Sequence, residues 1–115
     1  MSHDKLFLIQ PGFEDPEHPG QLFVCPHCNA IEGLLAAFPA RAASLDVERV
    51  PFSRPRGAVV ELLGDINQSL PVLIFASDND VPADVESANG RRFVSSTTRI
   101  LELLADRNGF PRLHR

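Results

Sequence analysis

The chain has 115 residues, 43% of them apolar and 23% charged, with a formal net charge of −4. That is the size of one domain and the balance of a globular protein, which excludes two independent cores and a disordered, charge-dominated chain. One lysine and ten arginines lie scattered among fifteen acids, which excludes a nucleic-acid groove built on clustered cations.

In chain order, Lys5-Leu-Phe-Leu-Ile-Gln10 is a short apolar run ended by Pro11-Gly12, the pattern of a buried strand and a turn. It is too short for the core of a signal peptide and no small-residue cleavage site follows. No run of about eighteen apolar residues is present to cross a membrane. A cytoplasmic protein without membrane partners is therefore expected. There a lone cysteine pair reads as catalytic, redox-sensing or metal-binding, not as a structural disulfide. Residues 11–24 hold three prolines and two glycines without periodicity and read as a Pro-rich loop insertion, with His18, Glu14, Asp15 and Glu17 solvated and Phe23 packed under the helix that follows.

Ile31, Leu34, Leu35 and Phe38 recur at i, i+3, i+4, i+7, one buried helix face that stops near Pro39. Leu45, Val47, Val50 and Phe52 alternate as in a second strand. Val59, Leu62, Leu63 and Ile66 repeat the helical spacing after Pro55. Leu70-Pro-Val-Leu-Ile-Phe-Ala76 reads as a strand buried on both faces with proline at its entry. Residues 78–90 read as polar turns and Arg92–Ser95 as a short edge strand. Thr97 is placed to cap a last helix carrying Ile100, Leu103 and Leu104, which Gly109 and Pro111 terminate. The arginine pairs Arg54/Arg56 and Arg91/Arg92 are expected to be solvated or substrate-side charges. The expected order is βαβαββα.

The chemistry sits in Cys25-Pro26-His27-Cys28. With Cys25 at the N-cap, Pro26 takes the first helical position, where its missing N–H costs nothing. The Cys25 sulfur then faces the unpaired N–H groups of the first turn and the positive end of the helix dipole, both of which favour thiolate. His27 adds positive charge when protonated. Cys28, one turn on, is placed to close a disulfide with Cys25.

A strand, a CxxC opening an amphipathic helix, the βαβαββα order and Pro71 before the third strand together resemble the thioredoxin superfamily over nearly the whole chain. The resemblance implies an α/β thioredoxin-like domain across residues 1–115, with a four-stranded mixed sheet and helices on both faces. It implies a thiol–disulfide oxidoreductase in which Cys25 attacks, Cys28 resolves and His27 tunes the pair. Leu70–Pro71 is then the cis-proline platform whose backbone, with Pro26, meets the substrate chain. It implies no cofactor beyond a redox-active Cys25–Cys28 disulfide, with protein or small-molecule thiols and disulfides, glutathione among them, as partners. Ser95, Ser96 and Thr97 at the last helix N-terminus stand where an anionic group such as a glutathione carboxylate would be held.

Plainer readings stand beside these. The cysteines also fit as small apolar core residues, or as half of a zinc site that would need two further ligands, with His18 and His27 the nearest candidates in sequence. Pro71 also fits as a trans strand-entry proline, and His27 as a solvent-facing helix residue. Two function classes therefore remain: a thiol–disulfide oxidoreductase, and a non-catalytic binding module on the same scaffold whose CxxC is structural, redox-sensing or metal-binding.

Overall fold

The computed structural model describes residues 3–77 and 80–114. The apolar run at the N-terminus forms β1 (Lys5–Ile9). Two short strands, β2 (Phe13–Glu14) and β3 (Leu22–Phe23), pair with each other as an antiparallel hairpin. Then come α1 (Pro26–Ala37), the single turn α2 (Pro39–Ala42), β4 (Asp46–Val50), α3 (Gly57–Leu63), β5 (Val72–Ile74), β6 (Glu86–Ala88), β7 (Arg91–Val94) and α4 (Thr97–Asn108).

The main sheet is mixed and five-stranded, in the order β4-β1-β5-β7-β6. β1 runs parallel to β4 and antiparallel to β5, and β7 runs antiparallel to both β5 and β6. Because successive strand residues face opposite ways, the sheet supplies two cores. Leu6, Leu8, Leu73 and Val94 pack with Ile31, Leu34 and Leu35 of α1 and Ile100, Leu103 and Leu104 of α4. Phe7, Val72, Ile74 and Phe93 pack with Val59 and Leu63 of α3. Helices thus cover both faces of the sheet, and strands buried on both faces need the continuous apolar runs seen in β1 and β5.

The structure corrects several expectations. The sheet has five strands where four are expected, because β6 pairs beside β7 and takes the edge that Arg92–Ser95 was expected to occupy. Asn89 and Gly90 form the two-residue connection, with φ of 56° and 77°, the left-handed values that tight hairpin loops require and that Asn and Gly tolerate. Residues 11–24 are not featureless, since they carry the β2–β3 hairpin. There Phe23 sits 6.1 Å from the ring of Phe13. Phe38 lies beyond the end of α1 and is exposed. α3 stops at Leu63, with Gly64 at φ 86°, so Ile66 falls outside the helix and is 88% exposed. Ser96, not Thr97, caps α4, its Oγ accepting the Arg99 N–H at 3.3 Å.

Candidate functional site

Strand directions gather the chemistry at one end of the sheet. β1 and β4 are parallel, so their C-terminal residues Ile9 and Val50 are paired neighbours. β5 runs the other way with Val72 opposite Phe7, so its entry, Leu70-Pro71, comes to that same end. β7 is antiparallel to β5, with Val94 opposite Leu73, which brings Ser95 to Thr97 to this end as well.

Cys25 is the N-cap of α1 with Pro26 in its first turn, and its Sγ accepts the backbone N–H of Cys28 at 3.3 Å. A sulfur in this position satisfies one of the donors that a helix start leaves unpaired. Cys25 is half-buried and Cys28 only 2% exposed; both are free thiols. The backbone N–H of Ile9 donates to Cys28 Sγ at 3.5 Å. Burial pushes the Cys28 thiol up to about 12, with the charges of Cys25 and Glu32 acting the same way and the Ile9 N–H opposing them. Desolvation penalises the thiolate more than one weak donor favours it. The inner cysteine is therefore a thiol at neutral pH.

The other sequence-derived residues take different positions. Pro26 and His27 are exposed beside Cys25. The Leu70–Pro71 peptide bond is cis, the Pro71 ring is fully buried, and Leu70 is half-buried against the same core cluster that contains Cys28 and contacts Cys25. Ser96 is exposed with its hydroxyl engaged as the α4 cap, Thr97 is half-buried, and Ser95 Oγ donates to Glu86 at 3.4 Å. A carboxylate on Ser95 makes this helix start less favourable for an anion than its sequence implies.

Sequence reasoning missed two features here. Arg56, expected to be solvated or substrate-side, is 6% exposed, whereas Arg54 is exposed and Arg91 and Arg92 are half-buried on β7. Arg56 Nε and Nη2 donate to Phe52 O at 3.1 and 2.7 Å, Nη1 donates to Gln68 O at 2.7 Å, and the Arg56 N–H donates to Gln68 Oε1 at 2.7 Å. Its neighbourhood between Pro55 and an apolar helix gave no periodic signal of burial. The second feature is an aromatic wall. Phe13 of the hairpin stacks on Phe52 with centroids 4.3 Å apart and planes 4° from parallel. With Gln10, Glu14, Arg49, Pro51 and Ser53 the two rings line a groove of ≈ 450 Å³. Beside it Leu22 and Val24 are exposed just ahead of Cys25.

A separate cavity of ≈ 510 Å³ between α4 and the C-terminal tail, at Thr98, Leu101 and Glu102, contains neither cysteine. Among the described residues no three His, Cys, Asp or Glu side chains cluster as a metal site. Among them, too, no helix is long and apolar enough to cross a membrane. No curated protein and no solved structure matches the chain. A family profile described as "Protein of unknown function (DUF3088)" matches residues 3–112, and the chain belongs to that family.

Proposed function

We propose that this protein is a thioredoxin-like thiol–disulfide oxidoreductase whose working group is the Cys25–Cys28 dithiol. The observation that carries the reading is the asymmetry of the pair: an accessible sulfur at the N-cap, bonded to the N–H of Cys28, and a buried thiol one turn behind it. Support comes from a mixed sheet with helices on both faces, and from strand directions that bring Leu70-Pro71 to the end of the sheet where Ile9 meets Cys28. Both are traits the thioredoxin resemblance implies.

The Cys25 thiolate attacks one sulfur of a substrate disulfide, forming a Cys25–substrate mixed disulfide and releasing the other substrate sulfur as a thiolate that takes up a proton. Cys28 then gives up its proton and attacks Cys25 Sγ. The Cys25–Cys28 disulfide forms and the second substrate thiol leaves. The substrate disulfide gains two electrons, the dithiol loses two, and the reverse sequence oxidises substrate thiols. The backbone of Leu70 is the edge against which an extended substrate chain pairs. His27 is exposed beside Cys25.

The test is equilibration of the reduced protein with mixtures of reduced and oxidised glutathione, counting free thiols and identifying the linkage by peptide mapping. Reversible loss of both thiols as a Cys25–Cys28 disulfide, formed faster than in an unfolded peptide carrying the same four residues, is the expected result. A folded protein that closes no such disulfide, or closes it no faster than the peptide, overturns the proposal and leaves a binding module.

A further inference from the structure

We infer that the groove between the β2–β3 hairpin and the loop after β4 is a substrate subsite. It takes an apolar side chain and an adjacent lysine or arginine from an extended polypeptide whose cysteine meets Cys25. The inference rests on the thiol-exchange reading and names its substrate class.

The groove, ≈ 450 Å³ in volume, lies at the end of the sheet that holds the dithiol. Its lining residue Gln10 follows Ile9, whose N–H meets Cys28 Sγ at 3.5 Å, and Pro51 and Phe52 follow Val50, the strand partner of Ile9. Phe13 and Phe52, stacked at 4.3 Å, pack against the core cluster that contains Cys28, as Cys25 and Leu70 do. Phe13 stands opposite Phe23 in the hairpin register, so their Cα atoms are about 5 Å apart. Phe23 is two residues from Cys25, at most about 7 Å of chain. The aromatic wall is thus within about 12 Å of the Cys25 backbone, the reach of about four residues of extended chain.

The chemistry of this surface selects the occupant. Of the exposed large apolar side chains among the described residues, Leu22 and Val24 both fall within three residues of Cys25. Single exposed apolar residues are ordinary, but these adjoin an aromatic groove and a reactive sulfur, the pattern of an interaction surface. The charge around the groove is negative. Glu14 is exposed on its wall, and residues 11–24 carry Glu14, Asp15 and Glu17 with no lysine or arginine. Arg49, the cation that also lines it, is held by Glu32 through a two-pronged pair at 2.8 and 2.6 Å, and exposed Arg54 lies one residue past the lining. An apolar side chain beside a lysine or arginine complements both features. Glutathione, an anion without an apolar side chain, meets neither.

The experiment measures, by fluorescence anisotropy, the binding of short fluorescein-labelled peptides to the reduced full chain. Each carries serine in place of the reacting cysteine. The reference peptide places a phenylalanine followed by a lysine about four residues from that serine; a second has alanine for the phenylalanine, and a third has glutamate for the lysine. Loss of the phenylalanine should weaken binding about tenfold, and reversal of the charge about threefold, the scale of an exposed ion pair. Glu14→Lys should invert the preference for lysine over glutamate, and Phe13→Ala should bring the phenylalanine and alanine peptides toward parity. The same peptides with cysteine restored, as mixed disulfides with thionitrobenzoate, should react with Cys25 in the same order of rates. Peptides that bind alike, or none that binds at millimolar concentration, overturn the proposal. So does a charge preference that Glu14→Lys leaves unchanged, or selective binding that does not carry over to the Cys25 rates. If Phe13→Ala loosens the hairpin, the exposed Glu14 still decides through the charge preference. A wild type that binds selectively yet closes no Cys25–Cys28 disulfide in glutathione mixtures defeats the oxidoreductase reading alone, because binding and the Cys25 rates still report the groove.

Discussion

The backbone N–H of Ile9 donates to Cys28 Sγ at 3.5 Å, so the last residue of β1 is tied to the inner cysteine, whereas Cys25 Sγ is bonded within its own helix. Two identical side chains three residues apart thereby acquire different environments. One is half-buried at the helix start; the other is a desolvated part of the core.

That difference predicts a pH dependence of stability in the reduced protein. The folded Cys28 thiol is raised from 9.0 to about 12, so above pH 9 the folded state holds a proton that the unfolded state releases. The contribution is complete below the unfolded value and is lost as pH rises through the folded one. Denaturant midpoints of reduced wild type and Cys28→Ala, measured against pH, should converge over that window. A constant gap between them would contradict the assignment.

Cys25→Ser should abolish disulfide exchange, because the attacking sulfur is gone. Cys28→Ser should leave the first attack intact but accumulate mixed disulfides on Cys25, since nothing resolves them. Mass spectrometry after incubation with oxidised glutathione reads both. Equal adducts on the two variants would remove the division of labour.

The Phe13–Phe52 stack is the contact that fastens the β2–β3 hairpin to the loop after β4. Phe13→Ala should cost the hairpin its ring stacking, about 0.5–1.5 kcal/mol beyond the lost burial. The expected result is faster amide hydrogen exchange across residues 12–24 with little change in β1 and β5. A uniform rise over the whole chain would mean that the hairpin belongs to the global core.

Asp4 joins three parts of the chain, accepting from Ala76 N–H at 2.9 Å and from Arg107 Nε at 2.9 Å. Arg107→Ala leaves that buried carboxylate with one partner fewer and should lower unfolding stability by about 1.5–3 kcal/mol, the range for a hydrogen bond to a charged group. Arg112 is exposed and bonds exposed Asp106, so Arg112→Ala should change stability by less than about 0.5 kcal/mol. Equal losses in urea titrations of the two variants would refute the ranking.

Where local chemistry decides structure, the residues alone were enough. Cys25 followed by Pro26 specifies a helix start, the spacing of Ile31, Leu34 and Leu35 specifies its buried face, and Gly109 specifies the stop of α4, since each depends on a few neighbouring dihedrals. The Asn89-Gly90 pair was equally local evidence for the β6–β7 hairpin, but the polar residues 86–88 hid it: an exposed edge strand needs no apolar alternation. What tertiary structure decided was burial at positions without periodicity. Ile66 resembles the next residue of a helical stripe and is exposed, because Gly64 ends the helix before it. Arg56 resembles a surface cation and is buried, because carbonyls of Phe52 and Gln68, four and twelve residues away in sequence, converge only once β4, β1 and β5 are paired. A charge is read from one residue, but its solvation depends on everything packed around it.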